Sequence, residues 1–225
     1  VKLRLPDETV TIFTMPATDF HRPRLVLVAS SSTPVDRLRA ALSGGDVASV
    51  ILAAEGTDTD TLQHAAKALA PLAQSRDVAF IVENDTRVAG RSGADGVHVT
   101  TSIPDLRDAL AALRPKKVVG AGNLRSRHEA MEAGELNPDY VFFGRLDGDN
   151  NDGVFDRTAD LAGWWAPTFV VPAIVMAGRA VASVAEAAAT GVEFVALARA
   201  VFDSADPAGA VAEANRLLSL AGQPA

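Results

Sequence analysis

The sequence predicts a single-domain α/β protein, a (β/α)8 TIM barrel, from three observations. Short β-branched runs alternate with longer Ala/Leu-rich amphipathic runs. The strand-like runs are continuously apolar, as parallel strands covered by helices are. The repeating units fit within about 200 residues, the compact end of barrel sizes. An open doubly wound sheet would carry a Gly-x-Gly-x-x-Gly turn after its first strand. Ser30-Ser31-Ser32-Thr33-Pro34 stands there instead.

In chain order, apolar runs predict strands at 24–29, 47–53, 78–82, 96–99, 117–121, 140–143, 169–174 and 194–198. Between them, helical periodicity predicts helices at 34–42, 59–74, 85–92, 103–113, 126–133, 157–165, 181–189 and 207–220. Gly93 and Gly191 each stop a helix before a strand, the work of a left-handed glycine and a tight αβ loop. Residues 1–23 are expected to be an N-terminal extension packing on the barrel, with short strands at 2–5 and 10–13. The barrel itself is expected over 24–221, followed by a frayed tail. Of Trp164 and Trp165 on the sixth helix, one is expected in the core and the other toward a partner, so a homodimer is one expectation.

Composition narrows the function classes. The 225 residues are 48% hydrophobic and 22% charged, a globular balance. There is no cysteine, which rules out disulfides and thiolate metal sites and suits a cytoplasmic protein. His21, His64, His98 and His128 are scattered, with no zinc-type spacing. The net charge of −7 argues against a nucleic-acid partner. No apolar run is long enough to span a membrane, and no signal-peptide pattern is present.

Several phrases carry a family resemblance. Ile81-Val82-Glu83-Asn84-Asp85, a helix, and then Gly93-Ala94-Asp95-Gly96-Val97-His98-Val99 resemble the centre of the thiamine phosphate synthase and thiazole tautomerase family. Lys117-Val118-Val119-Gly120, Asp139-Tyr140-Val141-Phe142-Phe143-Gly144, Val171-Pro172-Ala173-Ile174 and Arg199-Ala200-Val201-Phe202 resemble its later strands and closing turn, in order. The resemblance implies transfer of a pyrimidine-methyl group from its diphosphate to thiazole phosphate, with Mg²⁺ assisting the leaving group. It implies Asn84 as a substrate-orienting residue and Asp85 as the Mg²⁺ ligand. Both residue types are also good helix N-caps, which leaves a structural alternative open. His98 is structural in the family pattern.

This chain departs from the family at the diphosphate grip. The family's Gln-x-Arg-x-Lys after the second strand aligns with Ile51, Ala53 and Glu55. Its Gly-Gln-x-Asp aligns with Thr100-Thr101-Ser102-Ile103, so a second metal carboxylate is missing. Leu124 aligns with the tautomerase histidine. Its Thr-x-Thr-Lys is replaced by a run from Arg145 to Asp152 that holds Asp147, Asp149 and Asp152 and reads as a solvated, flexible loop.

Arginines follow the late strands. Arg145, Gly178, Arg179 and Arg199 are the candidate phosphate-binding set, at the usual phosphate corner of such barrels. The alternative is that the arginines pair with Asp147, Asp203 or Glu193. The expected function is thiamine phosphate synthase-like, in thiamine biosynthesis, with weak or lost activity. The expected partner is a small phosphorylated molecule, with Mg²⁺ only if the protein is active. A non-catalytic paralogue, or an isomerase or lyase on a phosphorylated substrate, is the alternative.

Overall fold

In the computed structural model, residues 22–221 are described, so the expectation for 1–23 lies almost wholly outside them. The elements run β1 (Arg24–Ser30), α1 (Val35–Ala41), β2 (Ser49–Ala53), α2 (Thr59–Gln74), β3 (Ala79–Glu83), α3 (Thr86–Ser92), β4 (Gly96–Val99) and α4 (Ile103–Leu113). They continue with β5 (Val118–Ala121), α5 (Arg127–Glu135), β6 (Tyr140–Phe143), α6 (Asp156–Trp165), β7 (Ala173–Met176), α7 (Ser183–Ala188), β8 (Phe194–Leu197), α8 (Arg199–Phe202) and α9 (Pro207–Ala221). The strands close in sequence order, every pairing is parallel, and β1 meets β8. This is the (β/α)8 barrel that the alternating runs predict.

The continuous apolarity of the strands follows from burial on both faces. Val26, Val28, Ile51, Ile81, Phe142, Ile174, Met176 and Phe194 fill the barrel interior. Their strand neighbours, such as Leu25, Leu27, Val50, Leu52, Phe80 and Val141, pack under the helices. The interior also holds two bulky polar rings. His98 and Tyr140 stack with centroids 5.6 Å apart, and the His98 Nδ1 lies 3.1 Å from the Tyr140 hydroxyl. They fit because β5 supplies glycine. A Cβ on Gly120 would stand 2.0 Å from the Tyr140 ring, and one on Gly122 would stand 2.3 Å from His98 Nε2.

Local signals set the boundaries. Asp58, Asp85, Ser102 and Ser126 cap α2, α3, α4 and α5 by accepting backbone N–H bonds. Gly93, at φ of +73°, is the left-handed stop of α3 that the sequence predicts, while Gly191, at +81°, follows the αR C-cap Ala189 of α7 by two residues.

The largest boundary difference is at β7. The sequence predicts a strand over 169–174, and the strand is Ala173–Met176. Phe169 stacks on Trp165 with centroids 4.0 Å apart, and the Trp165 indole donates to the Val171 carbonyl at 2.8 Å. These contacts hold the β-branched stretch as a connector, with Val170 fully exposed. Trp165 is the core tryptophan, while Trp164 is partly buried with the Arg127 guanidinium 5.0 Å from its ring. The short α8 has no counterpart among the predicted helices.

Candidate active site

The C-terminal ends of the strands form the mouth of a barrel, and their turns carry its chemistry. Here the turns after β3, β4 and β5 are tied together by side chains. Glu83 ends β3, with Oε2 accepting from Ala54 N at 2.8 Å and Oε1 accepting from the Thr100 hydroxyl at 2.8 Å. Asn84 Oδ1 accepts from Thr100 N at 2.7 Å, and its Nδ2 donates to Thr100 Oγ1 at 2.7 Å. Asn123 Nδ2 donates to the Thr100 carbonyl at 3.1 Å. Asn84 and Asn123 take φ of +57° and +58°, a conformation asparagine tolerates better than most side chains.

Asp85 lies next to this knot but points its carboxylate at the helix. Its Oδ1 accepts from Arg87 N at 2.9 Å and Val88 N at 2.8 Å. Asp85 is thus the N-cap of α3. The resemblance implies Mg²⁺ here. One Asp85 oxygen is committed to the cap, both Glu83 oxygens accept hydrogen bonds, and Ile103 stands where the second metal carboxylate belongs. Among the described residues no group of three or more His, Asp or Glu side chains is arranged to hold a metal. Mg²⁺ commonly takes one or two carboxylates together with substrate phosphate, and Asp85 is the one carboxylate that the resemblance supplies here, with Oδ1 used by the cap.

Carboxylates gather on the rim around Glu55. Partial burial pushes the Glu55 carboxyl up, Arg199 opposes that, and Asp147 and Glu83 add to it. Those couplings place Glu55 in one electrostatic neighbourhood with two other carboxylates and a single guanidinium.

Each candidate arginine has its own acidic partner. Arg145 forks onto Asp147 at 2.8 and 3.0 Å. Arg179 meets Asp203 at 3.5 Å, with both side chains more than half exposed. Arg199 donates from Nη1 to Asn150 Oδ1 at 2.7 Å, its Nε lies 3.9 Å from Asp149 Oδ1, and its backbone N–H donates to Asp149 Oδ2 at 2.6 Å. Glu193, the other acid considered, instead accepts from Ala173 N at 2.8 Å.

The β6–α6 loop is solvated at Arg145, Asp147, Asn150, Asn151 and Asp152, as the sequence predicts, but not along its whole length. Leu146 packs into the barrel-interior cluster, and Asp149 is 1% exposed. Arg179 N donates to the Asn151 carbonyl at 2.7 Å and Ala180 N to the Asp152 carbonyl at 3.2 Å. A Cβ on Gly178 would stand 2.3 and 2.4 Å from the Asp152 and Gly153 carbonyl oxygens. Gly178 N donates to Ser183 Oγ at 2.9 Å. The backbone donors of Gly178, Arg179 and Ala180 are therefore in use.

His98 is wholly buried, and burial alone pulls its imidazole down to about 3, so it stays neutral at ordinary pH. A cavity of about 310 Å³ opens off the barrel axis, between the β4–α4 and β5–α5 turns, lined by Thr101, Ile103, Leu106, Leu124, Arg125 and Ala133. Leu124 faces that side cavity.

Sequence reasoning missed Glu83 and Thr100 as site residues, and Asp149 as the partner of Arg199. A charged residue ending an apolar barrel strand is a readable signal for Glu83. Thr100 lies two positions beyond His98, in step with the strand alternation. Nothing local marks Asp149.

A family model described as thiamine monophosphate synthase matches residues 25–201. The chain is 36% identical over 183 residues to the thiamine-phosphate synthase of Rhodospirillum centenum, covering 80% of this chain and 88% of the relative. It is 32% identical over 186 residues to that of Hyphomonas neptunium, covering 80% and 84%. Among solved structures, thiamine phosphate pyrophosphorylase from Pyrococcus furiosus superposes with a TM-score of 0.74 at 22% identity, over 90% of this chain and 98% of that one. A 3-hexulose-6-phosphate synthase superposes with a TM-score of 0.65 at 19% identity, over 86% and 99%, and shares the fold.

Proposed function

The chain belongs to the thiamine monophosphate synthase family, and on that premise we propose a thiamine phosphate synthase-like protein whose transfer of a pyrimidine-methyl group from diphosphate to thiazole phosphate is weak or lost. The observation that supports this is the charge at the mouth. Glu55, Glu83 and Asp147 share the rim, and Arg145, Arg179 and Arg199 are each held by an aspartate of this chain. A diphosphate entering there meets like charge, which costs several kcal/mol where no cation intervenes.

In this reading Asn84 and Asp85 stand at the family's catalytic positions. Asn84 orients the ligand, and Asp85 holds the turn that carries Asn84. Arg145, Gly178, Arg179 and Arg199 form the phosphate-facing side, and a small phosphorylated molecule is the ligand class.

The test is a synthase assay on the purified chain with hydroxymethylpyrimidine diphosphate, thiazole phosphate and Mg²⁺, with product followed by chromatography. Turnover far below ordinary enzyme rates is expected, and a rate on the order of 1 per second or more would overturn the proposal. Asp85→Asn is run beside the wild type. Asparagine caps helices as well as aspartate does, so this variant tests the charge and not the cap. No product from folded protein favours a paralogue that binds a phosphorylated ligand without transforming it.

A further inference from the structure

The 144–155 loop is seated by contacts that leave one defect. Leu146 and Val154 are buried, Val154 N donates to Glu186 Oε2 at 3.0 Å, and the Asn151 and Asp152 carbonyls accept from the β7–α7 turn. Between these anchors, Asp149 pushes its carboxylate under the surface. Oδ2 is bonded to Arg199 N at 2.6 Å, while Oδ1 is buried with no hydrogen-bond partner.

A buried carboxylate with one oxygen unmatched is an imperfect occupant. Beside the Asp203 carboxylate, the groups around it are the backbone N–H and guanidinium of Arg199, donors that suit an anion with more oxygen atoms. The loop backbone meanwhile covers Gly178 so closely that no second anion fits beside it.

We infer that Asp149 is the specificity-determining residue of this corner: its carboxylate holds the seat of a ligand's anionic group on Arg199, and a phosphate enters only when Asp149 withdraws. This rests on the reading of Gly178 and Arg199 as the phosphate-facing side. It makes the 144–155 loop an internal competitor, so apparent phosphate affinity is lowered by the fraction of molecules in which the loop is seated.

The experiment titrates inorganic phosphate into the full chain by calorimetry for the wild type, Asp149→Ala, and Asp149→Ala with Arg199→Gln. Phosphate affinity is expected to rise by roughly tenfold or more in Asp149→Ala and to fall back in the double variant. Equal affinity of wild type and Asp149→Ala overturns the inference, as does a gain that survives Arg199→Gln. Should Asp149→Ala fail to fold, hydrogen exchange on the wild type decides. Exchange within 144–155 is expected to quicken at saturating phosphate, and unchanged exchange with phosphate bound overturns the inference. The two claims separate cleanly, because turnover judges the proposed reaction and phosphate affinity judges the role of Asp149.

Discussion

On the β3–β5 side of the mouth, the polar atoms that meet are mostly side chains, with Thr100 bonded to Glu83, Asn84 and Asn123. On the β7–β8 side they are mostly backbone groups, with Arg179 N, Ala180 N and Arg199 N all bonded to the loop of residues 144–155. The first arrangement can be rewritten by one substitution, because each hydrogen bond belongs to a replaceable side chain. Apart from the Asp149 carboxylate on Arg199 N, the second can be undone only by moving a chain segment, because a backbone donor is present whatever the residue. The hydrogen bonding of the two sides is therefore set differently, mainly by side-chain identity on one and mainly by loop position on the other.

The sharpest way to break this contrast is Gly178→Ala. The added methyl meets the backbone oxygens of Asp152 and Gly153, so the loop must leave its seat. We expect a loss of about 1–3 kcal/mol in urea unfolding, with faster proteolysis within 144–155. Unchanged stability and proteolysis would mean that the loop is not held against β7.

A smaller effect is expected at the knot. Thr100→Val keeps the shape but removes a hydroxyl that donates to Glu83 and accepts from Asn84. The site is partly open to water, which replaces some of the lost bonding, so the expected cost is about 1 kcal/mol by the same measurement. A cost as large as that of Gly178→Ala would erase the distinction between the two sides.

The smallest effect calibrates the others. Gly90 lies within α3, and a Cβ there meets nothing within 4 Å. Gly90→Ala should stabilise by about 0.5–1 kcal/mol. A loss there would show that α3 is constrained by something other than its own backbone.

Much of this molecule was legible before folding. The strand runs, the helix periods and the left-handed glycines at 93 and 191 depend on residues a few positions apart, and those interactions are written in adjacent letters. The departures from the family at Ile51, Ala53 and Glu55 were legible too, since they are identities at aligned positions. The β7 boundary was not, because Val170 and Val171 have strand-like side chains and the stacking of Phe169 on Trp165 sets where the strand begins.

The sequence by itself determined the barrel and the order of its units. Only the tertiary structure decided that Asp85 turns toward its helix, that Glu83 and Thr100 form the knot, and that an acidic loop read as solvated is partly buried. The physical reason is the range of the interactions. Asp149 and Arg199 are 50 positions apart, and closure of the barrel brings them within hydrogen-bonding distance, where burial and a shared proton donor override the preference of a lone aspartate for water.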